Sequence, residues 1–231
     1  MPTSPHADHS PDLFDRLARD GAAEWARYVD HPFVRGMGDG SLPEAAFRHY
    51  LVQDYLFLTH FARAYALAIY KGRNLAEMRA ALTGLKAILD VEMDLHVGLC
   101  AGWGVAPEEL ERAPEAKATM AYTRYVLETG LRGDLLDLHV ALAPCVIGYA
   151  EIGKTLAARA DAQAASNPYR VWIAEYSSDA YQAVATAARQ NLDRLAADSL
   201  TASRYPRLLT IFQQASRLEA DFWDMGLTLA D

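Results

Sequence analysis

Cysteine is scarce: Cys100 and Cys145 are the only two among 231 residues, and neither belongs to a CxxC or CxxH spacing. That is too few for a disulfide framework and the wrong pattern for a zinc site or a thioredoxin-like redox pair, so both read as free thiols in a reducing compartment. Positive charge is also in deficit. The 22 Lys and Arg against 30 Asp and Glu give a net charge of −8, which argues against an electrostatic grip on nucleic acid and leaves small neutral or cationic ligands open. No window approaches about 18 uninterrupted apolar residues, and the opening MPTSPHADHSPD lacks the basic stretch and apolar run of a secretion signal. These absences predict a cytoplasmic protein with neither membrane nor nucleic acid as partner. Runs of alternating β-branched residues are missing too, which removes the main signal for strands.

What is present is a helical period. Residues 1–11, rich in Pro, Ser and His, carry no periodicity and are expected to form a flexible tail, with His6 and His9 as solvated tail residues. From there apolar positions recur at three and four residues, predicting one all-α domain over 12–231. The helices are expected near 12–29, 43–71, 74–101, 107–130, 133–161, 168–197 and 203–229. The breaks between them, HPFVRGMGDGSLP, YKGRN, GWGVAP, GLRGD and DAQAASNP, all carry Gly, Pro, Asn or Asp. Ser41 stands three residues before Glu44 with Pro43 between them, the pattern of a capping box at the start of the 43–71 helix.

Side chains that do chemistry in a helical protein must point inward, so polar residues on apolar stripes are the candidates. Asp54 interrupts the stripe of Phe47, Tyr50, Leu51, Leu58 and Phe61. Glu219 interrupts that of Leu208, Ile211, Phe212, Ala215 and Phe222. A carboxyl in such a setting resists ionisation and can exchange a proton near pH 7. In LAPCVIGYAEIG, Cys145 and Tyr149 are four apart and share a face. Pro144 has no amide hydrogen, so it is expected to free the Val140 carbonyl and bend the helix beside the thiol. Tyr122, Tyr169 and Tyr176, with Trp172 and Trp223, add aromatic surfaces able to stack a flat heterocycle and hydrogen-bond its edge.

The segments HPFVRGMGDGSLPEAAFRHYLVQDYLFLTHFARAYA, EMDLH, LAPCVIGYAEIG, YRVWIAEYSSDAY and LEADFWDMG, in this order and spacing, resemble the TenA/thiaminase II family. The resemblance runs from about His31 to Met225. It implies an all-α fold similar to that of haem oxygenase, a homotetramer, and no need of haem, metal or other cofactor. It also implies hydrolysis of the bond between an aminopyrimidine methylene and its leaving group, either in thiamin or in a degraded thiamin. By motif position Cys145 matches the nucleophile and Glu219 the general acid/base. Asp54 matches the carboxylate that grips the pyrimidine amino group and ring nitrogen, and Tyr122, Tyr149 and Tyr176 match pocket tyrosines that orient the ring and the thiol. Phe57 stands where many members carry tyrosine, which keeps stacking and removes a hydrogen bond.

The chemistry holds together from the residues upward. A thiol with the ordinary pKa of about 8.5 is only a few per cent thiolate at pH 7, so help is expected from a Tyr149 phenol and from Glu219. Two other readings share the architecture. A di-iron oxygenase needs histidines on a late core helix, and none follows His139. Glu92 and His96 in EMDLH lie four apart and read as a polar pair buttressing helices rather than as metal ligands, since no third ligand is evident. A non-catalytic pyrimidine-binding protein would have no need of Cys145, Glu219 and Asp54 together.

Overall fold

The computed structural model describes residues 12–231, within which helices follow one another with no strand between them. They are α1 (Leu13–Asp20), α2 (Ala22–Val29), α3 (Pro32–Asp39), α4 (Glu44–Lys71), α5 (Leu75–Ala87), a π turn (Ile88–Glu92), α6 (Met93–Gly102), α7 (Pro107–Arg112), α8 (Lys117–Arg132), α9 (Leu135–Ala157), α10 (Arg170–Ser177), α11 (Asp179–Ser199) and α12 (Tyr205–Thr228). The all-α expectation is met. The tail expected at 1–11 lies outside the described residues.

Helix α9 organises the rest, packing against α8, α10, α11 and α12. Its start is secured by Asp134, whose carboxylate accepts from the Leu136 and Asp137 amides while the Asp137 carboxylate accepts from the Asp134 amide. This reciprocal pair satisfies donors that the first turn leaves bare. Arg204 and Arg207 then tie Asp137 to the start of α12. By length and composition α9 is apolar enough to cross a membrane, but 89% of its most apolar window is buried inside the bundle. Its hydrophobicity therefore answers to neighbouring helices.

Several boundaries differ from expectation for local reasons. The glycine-rich HPFVRGMGDG, expected to be a break, forms α3 because His31 caps it by accepting from the Phe33 amide and Pro32 occupies its first turn. Burial of Phe33, Val34 and Met37 holds it against the core. Ser41 does not cap α4: its amide donates to Asp39, and the capping position falls at Pro43 with no side-chain bond. The 12–29 helix divides at Gly21, the 107–130 helix at residues 113–116, and the 168–197 helix at Ser178.

Helix α9 continues through Pro144 without interruption. The Pro144 carbonyl accepts from the Tyr28 hydroxyl at 3.2 Å, tying α9 to α2. Tyr28 can approach because residue 148 is glycine: a Cβ there would lie 2.3 Å from the Tyr28 ring and 2.7 Å from its hydroxyl oxygen. Gly153 allows a similar approach, since a Cβ there would lie 2.5 Å from the Tyr176 backbone on α10. Gly148→Ala is expected to destabilise the fold by about 1–3 kcal/mol through overpacking, read as a lower denaturant midpoint at unchanged slope.

Candidate active site

Asp54 sits midway along α4, buried, with two neighbours on one oxygen. The Tyr50 hydroxyl donates to Oδ2 at 3.2 Å, and His96 Nδ1 lies 3.4 Å from the same atom. Tyr50 is itself held by the Trp172 indole N–H, which donates to its hydroxyl at 3.2 Å. Burial pushes the Asp54 carboxyl up to about 7, against the opposing pull of the Tyr50 bond. At neutral pH it therefore divides between its two protonation states.

Glu219 faces the same interior from α12, accepting at Oε1 from the Tyr122 hydroxyl at 2.8 Å. Burial, with the charge of Asp54 adding to it, raises the carboxyl to about 8 in spite of the Tyr122 bond. Cys145 on α9 is 9% exposed. Burial, then the charges of Glu219, Glu92 and Asp54, push its thiol well above its ordinary range. Among the described residues no lysine or arginine lowers any of these acids. An acid-lined interior without a fixed cation suits a ligand that is neutral or positively charged.

Aromatic rings close the site. Phe57 lies against Tyr122, with ring centres 5.0 Å apart, and against Phe61 and Phe222. Across from them Tyr149 packs edge-on to Tyr176 at 5.0 Å, and Trp172 packs on Tyr176 at 4.4 Å. Of the sequence-identified residues, Phe57, Tyr122, Cys145, Tyr149 and Tyr176 belong to one contiguous core, and Asp54 and Glu219 are buried against it through their bonds to Tyr50 and Tyr122, all brought there by α4, α8, α9, α10 and α12.

Two pairings differ from the sequence reading. Tyr149 is one turn beyond Cys145, yet its hydroxyl lies beside Tyr50, and no hydrogen bond joins it to the thiol among the described residues. Glu92 and His96 do not pair either. The π turn ending at Glu92 inserts an extra residue ahead of α6, and both His96 nitrogens face α4, with Nε2 2.8 Å from the Leu51 carbonyl and Nδ1 toward Asp54. Tyr28, Tyr50 and Trp172 also shape the site. The sequence reading places Tyr50 on an apolar stripe and Trp172 among the stacking aromatics and does not single out Tyr28; only the bundle shows where their polar ends point.

Among the described residues no group of three or more His, Cys, Asp or Glu is arranged to hold a metal ion. The fold and site define an all-α protein whose interior brings together a thiol, two buried carboxyls raised by burial and a cluster of packed aromatic rings. The family profile described as TENA/THI-4/PQQC family matches residues 20–229, and the chain belongs to that family. A Halalkalibacterium halodurans protein named aminopyrimidine aminohydrolase is 43% identical over 203 residues, covering 87% of this chain and 89% of that one. A crystal structure described as a TenA family transcription regulator from Silicibacter sp. is 45% identical, with TM-score 0.88 over 93% of this chain and 96% of that one. A domain of Shewanella denitrificans with a heme oxygenase-like fold superposes with TM-score 0.75 at 15% identity, covering 95% of this chain and 94% of that one, and shares the fold.

Proposed function

We propose that this chain is an aminopyrimidine aminohydrolase, converting aminomethyl-aminopyrimidine and water to hydroxymethyl-aminopyrimidine and ammonia, with thiamin cleavage as the same chemistry on a different leaving group. The observation that carries the reading is the enclosure of Cys145 with Glu219 and Asp54 among aromatic rings and without a fixed cation. The name of the Halalkalibacterium relative supports it. The proposed setting is the cytoplasm.

In this reading the aminopyrimidine lies in the slot bounded by Phe57, Tyr122, Tyr149 and Tyr176, with its amino group and ring nitrogen against Asp54. Protonated or strongly hydrogen-bonded, the ring becomes a better electron acceptor. The Cys145 sulfur adds to a ring carbon as Glu219 takes the thiol proton, because a thiol held this far up cannot ionise alone. The electron pair moves toward the ring methylene and the methylene C–N bond breaks, with the proton on Glu219 passing to the departing amine. Water then adds at the methylene, Cys145 is expelled, and the remaining water proton replaces the one lost by the thiol. Phe57, which offers stacking without a hydroxyl, bears on the balance between the two leaving groups.

Incubation with aminomethyl-aminopyrimidine is expected to yield the hydroxymethyl product. Tight binding without turnover by protein with an intact thiol would make the site a sensor of pyrimidines instead. The partner proposed beyond the substrate is the same chain, assembled as a homotetramer. Tyr70 at the end of α4, Leu75 and Leu82 on α5, Leu89 in the π turn and Leu95 on α6 leave large apolar side chains exposed, which a partner copy would cover. Light scattering is expected to report four times the chain mass, and a monomer would remove this part of the reading.

A further inference from the structure

We propose that His96 is a positioning residue which keeps a proton in the gap between its Nδ1 and Asp54 Oδ2, so that binding an aminopyrimidine draws a second proton into the site. The inference rests on the reading of Asp54 as the group that grips the pyrimidine edge.

Hydrogen-bond geometry sets the histidine's tautomer. Nε2 is 2.8 Å from the Leu51 carbonyl oxygen, and a carbonyl only accepts, so Nε2 carries a hydrogen. In the neutral ring Nδ1 is then a bare lone pair, 3.4 Å from Asp54 Oδ2. The Tyr50 hydroxyl already directs its proton to that oxygen, and the Trp172 N–H bonded to the Tyr50 oxygen keeps the phenol in the donating role. If Asp54 were ionised and His96 neutral, two lone pairs would face each other in a dry interior. One proton in the gap removes the repulsion, whichever atom holds it.

The surroundings provide no substitute. The titratable groups facing Asp54 are Tyr50 on its own helix, Glu92 and Cys100 from the π turn and α6, Cys145 and Tyr149 from α9, Tyr176 from α10 and Glu219 from α12. All are acids or phenols, and His96 is the one base among them. Burial holds the imidazole down to about 4 when it stands alone, so its second proton is acquired only against an ionised Asp54.

Both protein contacts fall on Oδ2, which leaves Asp54 Oδ1 for a ligand. An aminopyrimidine edge presents an amino donor and a ring-nitrogen acceptor, and that acceptor needs a proton in its contact with Asp54. The gap to His96 still needs its own. The free site holds one proton and the complex holds two, with the second stored as His96 imidazolium against the Asp54 carboxylate. Binding strength then falls as pH rises, because protons are taken up with the ligand.

The test uses the full-length protein and hydroxymethyl-aminopyrimidine. Calorimetric titration at about pH 6 in two buffers of different ionisation enthalpy counts the protons bound. The wild type is expected to take up about one proton more than His96→Gln, whose amide nitrogen keeps the Leu51 bond while Nδ1 is lost. The ligand's own ionisation contributes equally to both proteins and cancels in the difference. Independently of any variant, 15N spectra of the wild type are expected to show His96 with only Nε2 protonated when free and with both nitrogens protonated when the ligand is bound. Binding with Nδ1 unprotonated in the complex, or with equal proton uptake by the two proteins, overturns the role of His96 and leaves the functional reading intact. A wild type that does not bind the ligand overturns both.

Discussion

Cys145→Ser is expected to abolish turnover of aminomethyl-aminopyrimidine by several orders of magnitude while leaving ligand binding within a few-fold of wild type. Removing the nucleophile from a site that acts as a unit costs about 10⁴- to 10⁶-fold in rate. The serine hydroxyl is smaller than the thiol and introduces no clash in a side chain that is 9% exposed, so the packing among Phe57, Tyr122, Tyr149 and Tyr176 is kept. Oxygen is a much weaker nucleophile than sulfur at neutral pH, and Glu219 at about 8 is too weak a base to ionise an alcohol. Single-turnover kinetics and calorimetric binding together separate loss of chemistry from loss of the site. A near-normal rate would exclude sulfur addition. Cys100→Ser is the matched control: its Sγ lies 3.9 Å from the Leu51 carbonyl on α4, and it does not enter the proposed bond changes. It is expected to leave kcat nearly unchanged.

The parts of the molecule legible in the sequence are those governed by one helix at a time. Three- and four-residue spacing places Asp54 and Glu219 on inward faces, and the structure buries both. The same spacing puts Tyr149 on the face of Cys145. Which atom a polar tip meets depends on how helices cross, and there local spacing is silent. Tyr149 turns its hydroxyl toward Tyr50 on α4, while Tyr28 on α2 reaches the Pro144 carbonyl only through the space left by Gly148. His96 shows the limit most directly. Its four-residue separation from Glu92 predicts a pair along one helix, but the ring finds Leu51 and Asp54 across the interface. Helix α3 is hidden for the opposite reason, since its glycines read as breakers while a histidine cap and three buried side chains settle its state.

Glu219→Gln carries the second large expected loss, about 10²- to 10⁴-fold in kcat, because it removes the group proposed to take the thiol proton and return it to the leaving amine. The amide can still accept from Tyr122, so packing and the hydrogen bond at that phenol survive. What distinguishes the proposed role from a structural one is the pH profile. As a base toward Cys145, Glu219 must be ionised, so activity rises as pH increases through about 8. The contact between Asp54 and the ring must hold a proton, which the free enzyme carries at Asp54, so activity falls as pH increases through about 7. The base thus ionises at higher pH than the acid deprotonates, and only a minor fraction of free enzyme is in the productive form at any pH. The wild-type kcat/KM is accordingly expected to form a narrow bell between those values, with the two limbs belonging to coupled groups rather than to isolated residues. Glu219→Gln should erase the rising limb and keep the falling one. A variant that lost rate but retained both limbs would show that some other group handles the thiol proton. One that retained wild-type rate would show that Cys145 loses its proton without Glu219.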